Sequence, residues 1–162
     1  MMIARKMISS KAEYACLALI DLARSGLGAT PKRIRAIAEA QGIPRQYLTQ
    51  ILLRLKAAGL VQSARGSIGG YQLARSPEGI TVAEVLVAID GCDEPSTRRH
   101  SAAARSLAEL LGKARSAEQT VLSSATIADL AGWVDGRGQP GPPAVEPPES
   151  TGVGAPMNRS RS

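Results

Sequence analysis

The chain has 162 residues, room for one globular unit with appendages, and 44% of them are hydrophobic. With no Phe, one Trp and three Tyr, its core has to be built from Leu, Ile, Val and Ala, a composition that favours closely packed helices. The net charge of +6 is uneven: residues 1–75 carry twelve Lys and Arg against Glu13, Asp21 and Glu39, whereas the remainder carries eight basic against eleven acidic residues. A polyanion partner is therefore expected for the first half alone. No apolar run approaches the ~20 residues of a membrane span. The stretch after Arg5-Lys6 is interrupted by Glu13, Asp21 and Arg24, so it reads as an amphipathic helix of a cytosolic protein and not as a signal peptide. Two cysteines, Cys16 and Cys92, exclude a disulfide framework or a four-thiolate metal site within one chain, and with His100 the single imidazole a zinc site would need carboxylates or a second protomer.

Taken in chain order, a first helix is predicted from Ser10 to about Ala23. Ser10 and Glu13 have the spacing of a capping box, Tyr14, Leu17, Ala18 and Leu22 recur at helical period, and Gly26 and Gly28 end the element. Cys16 lies among Leu and Ala on this helix, where a buried, inert thiol is expected. Thr30-Pro31 is read as the opening of a second helix whose apolar side is Ile34, Ile37 and Ala38. Gly42 turns the chain, Ile43 packs, and Pro44 starts a third helix. There Leu48, Ile51, Leu52 and Leu55 make one face, while Gln46, Thr49 and Gln50, with Arg45 beside them, make another. A small Ala38 followed four residues later by Gly42 is the arrangement a helix-turn-helix needs.

Leu60–Ala64 and Tyr71–Ala74 read as short strands joined by Arg65-Gly66-Ser67-Ile68-Gly69-Gly70, a hairpin connection. These glycines are not a nucleotide loop, because they lack a Gly-Lys-Ser/Thr ending and a following helix. A helix-turn-helix followed at once by a basic-tipped hairpin is a winged helix. Thr81 and Glu84 then form a second predicted capping box, with Ile80 stapled onto Val85, for a helix ending near Asp90-Gly91. Cys92 to His100 reads as a polar loop. From about Ser101 a longer helix carries Ala103, Leu107, Leu110, Leu111 and Ala114 on one side, a stripe that could pack on its own chain or zip against a partner. Thr126 and Asp129 mark a last short helix ending near Trp133, and Gly, Pro and Ser dominate beyond Asp135, where a disordered tail is expected.

The run Ile34–Ala38, Gly42-Ile43, Tyr47-Leu48-x-Gln50-Ile51, Leu55, Ala58-Gly59-Leu60-Val61, Arg65-Gly66, Gly69–Ala74 and Ile80-Thr81 resembles the Rrf2 family of transcription regulators over about residues 7–92. The likeness extends less strongly over residues 101–131, where that family has a long dimerisation helix. The resemblance implies a mainly α protein: a winged helix-turn-helix with a two-stranded β wing over residues 1–91, a loop over 92–100, a dimerisation helix and short terminal helix over 101–134, and a tail from 135 to 162. It implies a homodimeric repressor that reads a roughly palindromic stretch of double-stranded DNA, with the third helix in the major groove and the wing along the minor groove. Carried over by position, Gln46, Thr49 and Gln50 face base edges and Arg65-Gly66 forms the wing tip, while Leu107, Leu110, Leu111 and Ala114 pair the two copies. Side-chain chemistry agrees, since Gln can hydrogen-bond an adenine edge. Lys32, Arg33 and Arg45 sit at helix starts, where phosphates are welcomed.

The sensing half departs from the family. Cluster-binding members use three closely spaced cysteines; here Cys92 stands at the first of these places and no cysteine follows it. No iron–sulfur cluster, and no other cofactor or metal, is expected. The wing reads Gly-Ser-Ile-Gly-Gly where the family has Gly-Pro-Gly-Gly. Two alternatives stand beside the repressor: a regulator controlled by docking to an unidentified protein partner, and a thiol-based redox sensor acting through Cys92. Catalysis is not expected, because no nucleophile–base pair, acid pair or cofactor loop is present.

Overall fold

The computed structural model describes residues 8–67, 69–91 and 101–137. Three helices come first, α1 (Ser10–Arg24), α2 (Ile34–Gln41) and α3 (Arg45–Ala57), followed by an antiparallel hairpin of β1 (Val61–Ala64) and β2 (Gly70–Leu73). A short 3-10 turn at Pro77–Gly79 leads into α4 (Val82–Asp90), and α5 (Ala102–Ser124) and α6 (Ile127–Val134) complete the described chain. The core is aliphatic, as the composition requires. Ala12, Ala15 and Ala18 let the other helices approach α1 closely, and Leu19, Ile37, Leu48, Leu52 and Leu55 fill the space between the first three helices. Gly42 ends α2 in the left-handed conformation, φ 63°, and Ile43 after it is buried, so the predicted turn of the helix-turn-helix is present.

Four local expectations are corrected. Ser9, not Ser10, caps α1: its hydroxyl accepts from the Ala12 amide at 3.1 Å and donates to Asp90 at 2.6 Å, so the end of α4 selects between two adjacent serines. Thr30-Pro31 does not open α2. The Lys32 amide donates to the Tyr71 carbonyl (2.9 Å) and the Tyr71 amide donates to that of Lys32 (2.8 Å), an isolated bridge that holds the chain extended and delays the helix to Ile34. Thr81 accepts from the Glu84 amide at 3.2 Å, but the Glu84 carboxylate pairs with Arg75 instead of completing a capping box. At α6 the box is complete: Asp129 accepts from the Thr126 amide, and its own amide donates back to the Thr126 hydroxyl. The Thr126 amide foremost, and then the Thr126 hydroxyl, which donates to the same carboxylate at 2.7 Å, hold the Asp129 carboxyl below the usual range. The first strand starts one residue later than read, at Val61, and the second is displaced by one residue, to Gly70–Leu73.

The terminal helix α6 packs onto the winged unit. The Ile127 amide donates to the Ile80 carbonyl at 2.9 Å, the Val82 amide donates to that of Ala125 at 2.9 Å, and the Ile127 side chain is fully buried in the core of the winged unit. Arg24 and Asp135 pair at 2.8 Å across the same seam. By contrast α5, which packs against α4, contains no buried residue. No described helix is long and apolar enough to cross a membrane. The segment 92–100, including Cys92, and the tail beyond residue 137 lie outside the described residues.

Candidate nucleic-acid interface

The amphipathic division of α3 decides what it presents. Leu48, Ile51, Leu52 and Leu55 are buried, so Gln46, Tyr47, Gln50, Leu53 and Arg54 are turned outward by the helical period. Gln46 and Gln50 are one turn apart and exposed, as expected for side chains that meet base edges. Thr49 is half-buried, and its hydroxyl donates to the Arg45 carbonyl at 2.9 Å, so its proton is spent within the helix. It offers its methyl group and an oxygen lone pair. Arg45 is exposed on the first turn, where Pro44 supplies no side-chain cap and an approaching phosphate meets a helix N-terminus.

The other predicted cations divide. Arg65 and Gly66 are exposed at the wing tip, as read from the sequence. Lys32 turns inward: its ammonium lies 3.0 Å from the Asp21 carboxylate and 3.1 Å from the Asp21 carbonyl. Asp21 is only 6% exposed, and a buried carboxylate left unpaired costs several kcal/mol, so the fold claims Lys32 for itself. The Gln41 amide adds a longer bond to Asp21 at 3.4 Å. Arg33 is exposed, but its guanidinium donates to the Ser67 carbonyl in the wing at 2.9 Å.

Sequence reasoning missed three members of this surface. Lys11, Tyr47 and Arg54 join Gln46, Gln50, Ile51 and Ile89 around an open groove of about 410 Å³ between the start of α1, α3 and the end of α4. Arg54 also donates to the Ile89 carbonyl, fastening the end of α4 to α3. The signal was present, since Tyr47, Gln50 and Arg54 follow one another at i, i+3 and i+7 on one stripe of the helix. Lys56 donates to the Ser63 hydroxyl at 2.7 Å and ties α3 to β1.

Away from this surface, Leu107, Leu110 and Leu111 on α5 are 56%, 64% and 51% exposed and Ala114 is exposed beside them, a continuous apolar stripe without cover in the single chain. Cys16 packs against the core on α1, where burial, and then the charge of Glu13, push its thiol up to about 11. Among the described residues no group of three or more His, Cys, Asp or Glu is placed to hold a metal ion.

The profile of the Rrf2 family, described as iron-dependent transcriptional regulators, matches residues 8–132. The HTH-type transcriptional regulator CymR of Bacillus subtilis is 35% identical over 138 residues, which cover 80% of this chain and 92% of that protein. The solved structure of CymR, the global cysteine regulator of B. subtilis, aligns with a TM-score of 0.68 at 34% identity over 78% of this chain and 96% of that one. IscR of T. potens aligns with a TM-score of 0.64 at 33% identity, over 83% and 93% of the two chains. These relatives are regulators and not enzymes. With its helix-turn-helix, its wing and the long α5, the chain belongs to the Rrf2 family of winged-helix, DNA-binding transcription regulators.

Proposed function

We propose that two copies of the chain pair through α5 and act in the cytoplasm as a repressor on a roughly palindromic operator, each copy laying α3 in the major groove and the β1–β2 wing along the adjacent minor groove. The observation that carries this reading is the outward stripe of α3: Gln46, Tyr47 and Gln50 stand exposed on a helix whose opposite face is sealed into the core, with Arg65 exposed on the neighbouring wing. Polar, uncharged side chains on a rigid helix suit base-edge reading, whereas Arg45 and Arg65 at its margins suit phosphate. The exposed leucines of α5 support pairing, because burying them against a second copy removes a patch that a lone chain leaves in water.

The regulator works without an iron–sulfur cluster. Such clusters are held by about four ligands, thiolates above all, and this sequence offers two cysteines and one histidine. One of those cysteines, Cys16, is packed against the core with its thiol held protonated well above neutral pH. The donor set therefore does not fit the cofactor that the family description suggests.

The test is DNA discrimination. With a duplex selected by the full-length protein from a randomised pool, Gln50→Ala is expected to lose roughly 1–3 kcal/mol of preference over random DNA, the worth of one good base contact. Equal weakening on both duplexes would remove Gln50 from the reading role.

A further inference from the structure

We propose, on the reading of α3 and the wing as the DNA surface, that Arg33 is a positioning residue that sets the pose of the wing tip and is not a phosphate contact in its own right. The base of the hairpin is fixed by burial: Val61 and Leu73 face each other in register and both lie in the core. The described residues of its tip have no such anchor. Arg65, Gly66 and Ser67 are exposed, and the turn is closed by a local bond from the Gly69 amide to the Gly66 carbonyl at 3.0 Å. A segment this rich in glycine has much conformational freedom to lose when it is placed on DNA.

Arg33 reaches that segment from 34 positions away in sequence, donating from Nη2 to the Ser67 carbonyl at 2.9 Å. The guanidinium starts from a fixed point, because Arg33 follows Lys32, whose backbone bonds twice with Tyr71 on β2. Lys56 of α3 holds the other strand through the Ser63 hydroxyl. The wing is thus suspended between the start of α2 and the end of α3, the two helices of the helix-turn-helix. Its spacing from α3 is then set before DNA arrives, which spares the ordering cost on binding. Arg65 reaches a phosphate or the minor groove from a tip that Arg33 has already placed.

Two measurements on the full-length protein test the assignment. In the free protein, Arg33→Ala is expected to lower backbone order parameters at residues 65–67 and 69 from near the rigid value of about 0.85 to below about 0.6, with α3 unchanged. On the duplex selected from a randomised pool, Arg65→Ala is expected to weaken binding about tenfold or more, the order of one charge-assisted contact. Arg33→Ala should weaken it comparably, and the double variant no further than either single one. The salt slope of the double variant should fall by about one per half-site, the loss of a single phosphate contact. Unchanged order parameters overturn the proposal. So do additive losses with a slope reduced by about two per half-site, the signature of two separate phosphate contacts. A loosened tip combined with no effect of Arg65→Ala or Gln50→Ala on the selected duplex overturns the DNA surface itself, and the proposal with it.

Discussion

Gly70→Ala probes the joint between the wing and the helix-turn-helix. A Cβ at Gly70 would lie 2.4 Å from the Lys32 carbonyl oxygen, 2.6 Å from its carbon and 3.0 Å from the Arg33 nitrogen, all of them backbone atoms. No rotamer change relieves such a clash, so β2 and the Lys32 segment must separate. The direct loss is the pair of backbone hydrogen bonds between Lys32 and Tyr71, at ~0.5–1.5 kcal/mol each. Stiffening the unfolded chain by replacing glycine returns ~0.4–1 kcal/mol. A net destabilisation of about 1–2 kcal/mol is therefore expected in urea unfolding followed by circular dichroism at fixed protein concentration. Gly132 in α6 supplies the opposite sign from the same chemical change. Nothing lies within 4 Å of a Cβ built there and its backbone is helical, so Gly132→Ala should stabilise by roughly 0.5–1 kcal/mol. A Gly70→Ala protein as stable as the wild type would refute the close approach of β2 to Lys32.

Asp21→Ala removes the buried partner of Lys32 and is expected to cost about 2–4 kcal/mol, below the full penalty of a buried pair because the Lys32 side chain is 31% exposed and can turn toward water; chemical denaturation measures it, and a loss under 1 kcal/mol would count against the network. Leu110→Glu places a charge in the α5 stripe of both copies, and at ~1.5–3 kcal/mol per buried leucine it should raise the dimer dissociation constant a hundredfold or more; a dimer that persists at micromolar concentration in sedimentation would remove α5 from the pairing surface. For Cys16 the folded thiol titrates at about 11 against an ordinary 9.0, so the unfolded chain loses its proton first. Its contribution is complete below pH 9 and is lost as pH rises toward 11, a fall of roughly 2–3 kcal/mol at most. Cys16→Ala should flatten that part of the stability–pH curve, and an identical alkaline fall in the variant would assign it to other groups.

What was legible in the sequence followed from periodicity, and what was not followed from partners far away along the chain. The leucine face of α3 fixes its outward face by geometry alone, so the exposure of Gln46 and Gln50 could be read from spacing. Gly42 announced its turn for the same local reason. Lys32 and Arg33 carry no such information, since a count of charges treats every cation as facing solvent. Their destinations, Asp21 on α1 and Ser67 in the wing, are set by the tertiary packing of α1 against α2 and by the bridge at Tyr71. That bridge also displaced the start of α2, and Asp90 decided between Ser9 and Ser10, two residues with the same capping chemistry. The hydroxyl proton of Thr49 is spent within its own helix, a choice open to any threonine that spacing cannot settle. The consequence is electrostatic. The basic balance of the first half reads as one broad attraction for a polyanion, yet the fold withdraws Lys32 into an internal pair and engages Arg33 with the wing. Among the described residues, the exposed cations beside the α3 stripe are then Arg45 and Arg65, with Lys11 at the α3 groove. On the proposed function, an interface with few such cations has a shallow salt dependence, and its selectivity is expected to rest on the uncharged stripe of α3.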